Sequence, residues 1–497
     1  MRFLKYLLWG LAGIFLVTRL VNLTGLPIFT DEANYLNWGW FELHGHPWYS
    51  LFDAKQPGLM WILAAAEMAG RDPLWAGRAV SILTGLLNLW GIWLVGKKLG
   101  GEKVAAAADV VYIITPLFLF YDRQALMESA LISVSVFSFY FLLQTYEKPT
   151  LKSAAATGAI LGIGLWIKSS ALVFLAAAVT SFGLMAVSRR GQVFKYLTAM
   201  VYMLAAFLAV AGLLILQPQF TATWSRNSDY TMTLSQMARW PWPTWKADWI
   251  LNGQLWLILL TPVVTAGWAA GMVIMGRKNW LTAAWIWLPL GIYLTFAKFS
   301  GALFQRYATP YLALIVIPAG FTLARIKPGF WSLLILPIAV SLLQIFNPAG
   351  YFNLVNKFTR YSYLQGYITG SDSGYQVQAI LKYLRRQAKS GPIVTGLQLA
   401  NFNPTAGVMV YARREPGLNP YYIDTRVPDA DKYACLSSPR PVYLVSVGDL
   451  GDLEKFMQPV KVIGNNYGRE KNVIYTLKTG CAPATTAPLE LISMDAQ

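Results

Sequence analysis

The chain has 497 residues, of which 56% are hydrophobic and 13% charged, with a mean hydropathy of +0.43 and a formal net charge of +17. An ordinary soluble domain carries roughly 25% charged residues, so these numbers exclude a simple water-soluble enzyme, a disordered chain and a fibrous one, and they fit many membrane helices diluted by a wetter portion. The basic excess raises nucleic acid as a partner, but the charges gather in loops between apolar segments, where they set membrane orientation instead.

The first apolar segment, 6 to 23, follows Met1-Arg-Phe-Leu-Lys5 without a small-residue cleavage site and reads as a retained helix rather than a removed signal peptide. Residues 57 to 70 are apolar but too short to span and contain Glu67, the pattern of an interfacial or re-entrant segment. Spans then follow at about 79–96, 104–120 with Asp109 inside it, 129–146, 153–167, 169–188, 196–217, 249–276, 279–297, 307–324 and 328–346. With the first, that makes eleven. The loops on the N-terminal side (1–5, 97–103, 144–152, 188–195, 276–279 and 322–329) hold 14 Lys and Arg in 41 residues. The opposite loops (24–78, 121–125, 167–170, 218–252 and 298–306) hold 10 in 108. The positive-inside rule therefore predicts eleven spans in a cell membrane, N-terminus cytoplasmic and C-terminus outside. Counting 57–70 as a span would carry Lys97-Lys98, Arg189-Arg190 and Arg277-Lys278 to the outer face.

After about residue 350 charges of both signs return. Tyr375 to Ala388 reads as an amphipathic helix stopped by Gly391-Pro392, and Ile393-Val-Thr, Val442-Tyr-Leu-Val-Ser and Val473-Ile-Tyr-Thr-Leu read as strands. The organisation expected is a membrane core, 1–349, with outer loops 24–78 and 218–252, then an extracytoplasmic α/β domain, 350–481, and a Pro/Thr/Ala-rich disordered tail, 482–497. Cys435 and Cys481 both fall in the outer portion, where a disulfide and two unpaired thiols are the alternatives. No internal repeat marks an inverted-repeat transporter.

Directly after the first span, Ile28-Phe-Thr-Asp-Glu-Ala-Asn-Tyr35 places Asp31 and Glu32 at a membrane boundary. One reading is a helix N-terminus capped by Thr30 or Asp31; the other is an acid and base pair, and the two are compatible. At the same outer level the topology puts Arg78, Asp122, Arg123, Glu128, Lys168, Lys298 and Arg306. A lone cation there would be a snorkelling side chain. Several together make a site for an anion at the membrane surface, such as a lipid phosphate. His44 and His46, the only histidines, offer ligands for a divalent metal with carboxylates completing the set, against the plainer reading of a solvated loop.

In order, these elements are the Asp31-Glu32 pair, Gly45-His-Pro-Trp-Tyr49, Lys55-Gln-Pro-Gly58, Arg78 opening a helix, Arg123-Gln-Ala-Leu-Met-Glu128, Gly164-Leu-Trp-Ile-Lys168 and Gln305-Arg-Tyr-Ala-Thr-Pro310. Over about residues 1 to 346 the chain thus resembles the GT-C membrane glycosyltransferases, in the branch of the dolichyl-phosphate-mannose protein mannosyltransferases and the bacterial aminoarabinose transferases acting on lipid A. It departs from that pattern at Pro57-Gly58, where two prolines are common, and at Glu128, where Asp is frequent. The resemblance implies a polytopic helical enzyme that takes a sugar from a polyprenyl phosphate and transfers it, with inversion, to a protein, lipid or glycan acceptor at the outer face. Asp31 would be the base and Glu32 would tune or position, Lys168 and Arg306 would hold the phosphate with Arg123 and Arg78 as further candidates, and Glu128, Lys55 and Tyr307 would support. A phosphate leaving group is already stable as an anion, so the step needs no strong acid on the leaving oxygen. The rival readings are a flippase for a lipid-linked sugar and a non-catalytic membrane scaffold.

Overall fold

The computed structural model describes residues 2–70, 72–221, 223, 231–276, 280–297, 305–358, 365–400, 402–423, 440–448, 450, 454, 457–465, 467–468 and 471–477. Two compact units form: Met1–Gly25 with Trp38–Tyr361, and Leu26–Asn37 with Ser362–Gln497.

The first unit is helical. Its longer helices are α1 (Arg2–Leu20), α2 (Thr30–Leu43, its first two turns in the other unit), α3 (Pro57–Ala69), α4 (Pro73–Gly100), α5 (Glu102–Ile114), α6 (Pro116–Tyr121), α7 (Glu128–Glu147), α8 (Leu151–Ile167), α9 (Ala171–Ser188), α10 (Val193–Ile215), α11 (Trp242–Leu260), α12 (Pro262–Met275), α13 (Trp280–Phe296), α14 (Val316–Leu323), α15 (Ile335–Phe346) and α16 (Pro348–Phe358). Local sequence sets the ends. Asp72 caps α4 by accepting from Trp75 N at 2.8 Å, Pro73 occupies its first turn and Gly101, at φ 79°, closes it. Pro116 splits the stretch 104–120 into α5 and α6. The stretch 249–276 bends by 104° between α11 and α12.

Among the described residues, five helical stretches are long and apolar enough to cross a membrane, Pro73–Gly100, Glu128–Glu147, Ala171–Ser188, Arg190–Ile215 and Gly329–Phe346, and the bent α11–α12 pair makes a sixth. Shorter apolar helices occupy Tyr6–Leu20, Pro57–Ala69, Leu151–Ile167, Trp280–Phe296 and Thr309–Leu323. Small residues set the closest packing. A Cβ on Gly158 would collide with the carbonyl of Met203, so α8 and α10 approach to backbone contact there.

A buried polar network pins α1 to the centre of this unit. Arg19 and Asp122, both fully buried, pair at 3.3 Å. Asp122 Oδ1 accepts from Tyr112 and Ser129 hydroxyls at 2.9 Å each, and Asn88 donates to Tyr112 and to Ser129. Each charge has its partners, the condition under which burial of an ion pair is tolerated.

The second unit carries a five-stranded sheet of β1 (Val394–Gln398), β2 (Pro420–Ile423), β3 (Val442–Ser446), β4 (Met457–Gly464) and β5 (Lys471–Leu477) in the order β2-β1-β3-β5-β4. β1 runs parallel to β2 and β3, with Val394 opposite Val442, while β5 is antiparallel to β3 and β4. Helices α17 (Val377–Gln387) and α18 (Thr405–Ala412) flank β1 in sequence, and Val394, Ile423, Val442, Leu444, Leu450 and Met457 form the core. The predicted helix and the three predicted strands are present within two residues at each end, except that β1 runs three residues further, to Gln398. β2, β4 and α18 are additional. Cys435, Cys481 and the tail lie outside the described residues.

Candidate functional site

In the first unit, the end of α8, the start of α7 and the 3-10 turn Gln305–Tyr307 bring four of the expected residues together. Lys168 follows the last turn of α8 in extended backbone, and its Nζ donates to Glu128 Oε1 at 2.9 Å. Glu128 is 2% exposed and Lys168 15%. The same ammonium stands 4.3 Å from the centroid of the Tyr307 ring, while the Arg306 guanidinium lies 5.0 Å from that centroid and donates to the Tyr307 hydroxyl at 3.1 Å. One aromatic ring thus stands close to two cations, and a buried carboxylate pairs with one of them. This cluster can bind an anion by charge-assisted hydrogen bonds in a low-dielectric setting.

The other arginines have structural tasks. Arg123 donates to the carbonyls of Thr18, Val21 and Asn22, each at 2.8 Å, and so satisfies the orphan carbonyls at the end of α1. Arg78, fully buried, donates to the Leu23 carbonyl at 2.6 Å and to Gln124 at 3.4 Å, fixing the same turn. Lys55 is half-buried ahead of α3, and its amide bonds the Ser50 carbonyl. Beside it a Cβ on Gly58 would stand 2.7 Å from the Trp166 carbonyl, which explains a glycine where a second proline is common. Trp48, Trp61 and Trp166 pack ring to ring there, with centroids 5.5 to 6.2 Å apart. Lys298 lies outside the described residues.

The acid pair belongs to the second unit, and its two members differ. Glu32, fully buried, reaches back so that Oε2 accepts from Phe29 N at 3.0 Å, while Phe29 O accepts the first helical bond, from Ala33 N. The cap of α2 is therefore made by its third helical residue, as in half of a capping box, rather than by Thr30 or Asp31. Thr30 instead bonds the Asp372 carbonyl and accepts from Asn403 N. Asn403 also donates to Ile28 O and Asp372 O, and Asn37 donates to Ala406 O. Asp31 is half-buried in this anchored turn.

Both histidines are exposed. His44 Nδ1 lies 2.7 Å from Trp40 O and its ring stacks on Trp40 at 3.9 Å, while His46 meets Tyr49 edge-on. Among the described residues no three His, Cys, Asp or Glu gather as a metal site, so we derive no step through a metal. Just before the histidines, near the end of α2, the sequence reading overlooked Glu42, which is 4% exposed and accepts from Ser50 N at 2.9 Å. Burial lifts its carboxyl from 4.5 to about 7, against the pull of the Ser50 hydrogen bonds. An acid two residues before the His-Gly-His turn was the available signal.

The sequence pattern of the dolichyl-phosphate-mannose-protein mannosyltransferase family matches residues 53–215. No curated protein matches. Among solved structures, ArnT from Cupriavidus metallidurans bound to undecaprenyl phosphate superposes with a TM-score of 0.63 at 14% identity, over 96% of this chain and 98% of that one. The apo state of the same protein gives 0.62 at 13% identity, over 97% and 99%. The chain shares the fold of ArnT. Archaeal oligosaccharyltransferase AglB from Archaeoglobus fulgidus, in complex with an inhibitory peptide and a dolichol-phosphate, superposes less well, at 0.49 and 13% identity over 92% and 72%. The long apolar helices mark the chain as a multi-pass membrane protein.

Proposed function

We propose that the protein is a membrane glycosyltransferase that takes a sugar from a polyprenyl-phosphate-linked donor and passes it, with inversion, to a protein, lipid or glycan acceptor at the outer face of the cell membrane. The observation that carries this reading is the pair of cations, Lys168 and Arg306, held on one tyrosine ring beside the buried Glu128. Such a cluster suits a phosphate that must be recognised in the ground state and stabilised as it leaves. The neighbour in the same fold, ArnT, was crystallised with undecaprenyl phosphate. On this reading the chain spans the membrane eleven times, with its N-terminus cytoplasmic and its C-terminal unit outside.

The acceptor oxygen attacks the anomeric carbon, the bond from that carbon to the phosphate oxygen breaks, and the electron pair leaves with the phosphate. Lys168 and Arg306 hold the phosphate oxygens. The acceptor proton passes to Asp31, with Glu32 tuning or positioning beside it. Incubating the purified protein with a panel of radiolabelled polyprenyl-phosphate hexoses and pentoses and with envelope acceptors tests this. Transfer to any acceptor is expected. Movement of the lipid across a vesicle without sugar transfer would favour a flippase, and neither would leave a scaffold.

A further inference from the structure

Helix α11 carries a buried polar stripe that nothing so far explains. Asp248, Asn252 and Trp256 recur every fourth residue and so share one face. Their relative exposures are 2, 2 and 9%. On each, a polar atom lacks a partner among the described residues: Asp248 Oδ2, Asn252 Oδ1 and Trp256 Nε1. The remaining amide of Asn252 donates to the Asp248 carbonyl at 2.7 Å, which fixes Oδ1. α11 packs against the turn that holds Arg306 and Tyr307, against α6 and against α13, to which Trp245 donates at Thr295 O.

Buried polar groups are nearly always satisfied, and each one left bare costs free energy. Three on one helix face, two acceptors and one donor, require a partner rich in hydroxyls that both donate and accept. A sugar has that chemistry, and an indole beside a carboxylate suits it because the ring also covers apolar C–H faces. The stripe lies on the helix that packs against the turn holding Arg306, so a ligand with its phosphate on Lys168 and Arg306 would carry its sugar toward that helix.

We infer that Asp248, Asn252 and Trp256 form the subsite that reads the sugar of the lipid-linked donor. This rests on the proposed glycosyltransferase function and adds to it a residue-level basis for sugar choice.

The test compares binding of undecaprenyl phosphate alone with binding of undecaprenyl-phosphate hexoses and pentoses, to wild type and to Asp248→Asn, Asn252→Leu and Trp256→Phe. Wild type should prefer one sugar-bearing lipid over the bare lipid. The variants should lose about ten- to hundredfold of that preference, the loss expected for a hydrogen bond to a charged or buried group, while their affinity for the bare lipid stays within about twofold of wild type. Asn252→Leu removes an unpartnered acceptor and should leave thermal stability unchanged or higher, whereas a merely structural asparagine would lower it. Variants that keep the wild-type preference, or a wild type that binds bare and sugar-bearing lipids alike, would overturn the subsite while leaving the phosphate site standing. A wild type that binds none of these lipids would overturn the glycosyltransferase reading, and the subsite with it.

Discussion

Asp31 and Glu32 are adjacent in sequence; Glu32 accepts from the Phe29 amide, and Asp31 is the base of the proposed mechanism. Asp31→Asn should therefore reduce transfer by about 10²- to 10⁴-fold, the range of a general base, with unchanged donor binding and melting temperature. Glu32→Ala should lower stability by roughly 1 kcal/mol, the worth of a helix cap, and slow transfer less than Asp31→Asn does. Near-normal turnover in Asp31→Asn would move the base elsewhere. For the phosphate, Lys168→Ala should weaken the donor about ten- to hundredfold and also destabilise the fold, because it strands a buried carboxylate. The double variant Lys168→Met with Glu128→Gln separates these effects: it should regain stability and still bind the donor poorly. Arg123→Met should do the opposite, losing stability at the end of α1 while keeping donor affinity. What could be read from sequence at this scale was the set of polar residues at helix ends. Their partners could not be read, since Arg123 and Arg306 look alike until their neighbours in space, Thr18 and Tyr307, are known.

Elements were legible where one physical signal dominated. Long apolar runs became helices, and the periodic stretch before Gly391-Pro392 became α17. Edge strands escaped because they lack that signal: β2 begins at Pro420 and is short, and β4 is largely exposed with Pro459 beside a register shift. The segment between α2 and α3 supplies a further prediction. Buried Glu42 holds the Ser50 amide, and the folded protein binds its proton more tightly than the unfolded chain does. Its contribution to stability is thus fullest below 4.5, declines as the pH rises to about 7 and is lost above that. Melting curves from pH 5 to 8 should show this decline in wild type and a flatter profile in Glu42→Gln. An unaltered slope in the variant would place the titration on another group.

For the whole molecule, membrane sidedness is the reading with the widest consequences. A reporter that works only outside the cytoplasm, fused after the C-terminal unit, should be active, and one placed between α4 and α5, beside Lys97 and Lys98, should be silent. The reverse pattern would invert the orientation drawn from the charge distribution. The α3 helix, 13 residues long, rises about 20 Å at 1.5 Å per residue, short of the roughly 30 Å hydrocarbon layer, and reporters on its two flanks should respond alike. Fold class was accessible from composition because lipid and water impose such different demands on a chain. The two-unit division was less accessible, since no local pattern announces that residues 26–37 fold with the far end of the sequence.

That division bears on the order of synthesis. The hydroxyl of Thr30, next to Asp31, and the amide of Asn403 that it accepts from are 373 residues apart along the chain. A ribosome delivers the acid long before its anchor. During all the intervening translation, while the apolar helices are inserted, the turn bearing Asp31 has no finished partner to fold against. The acid is held in place only when the chain is nearly complete, so a stalled or truncated product could carry the two-cation cluster and still be inert. Co-producing 1–361 and 362–497 as separate chains should restore in trans what neither piece does alone.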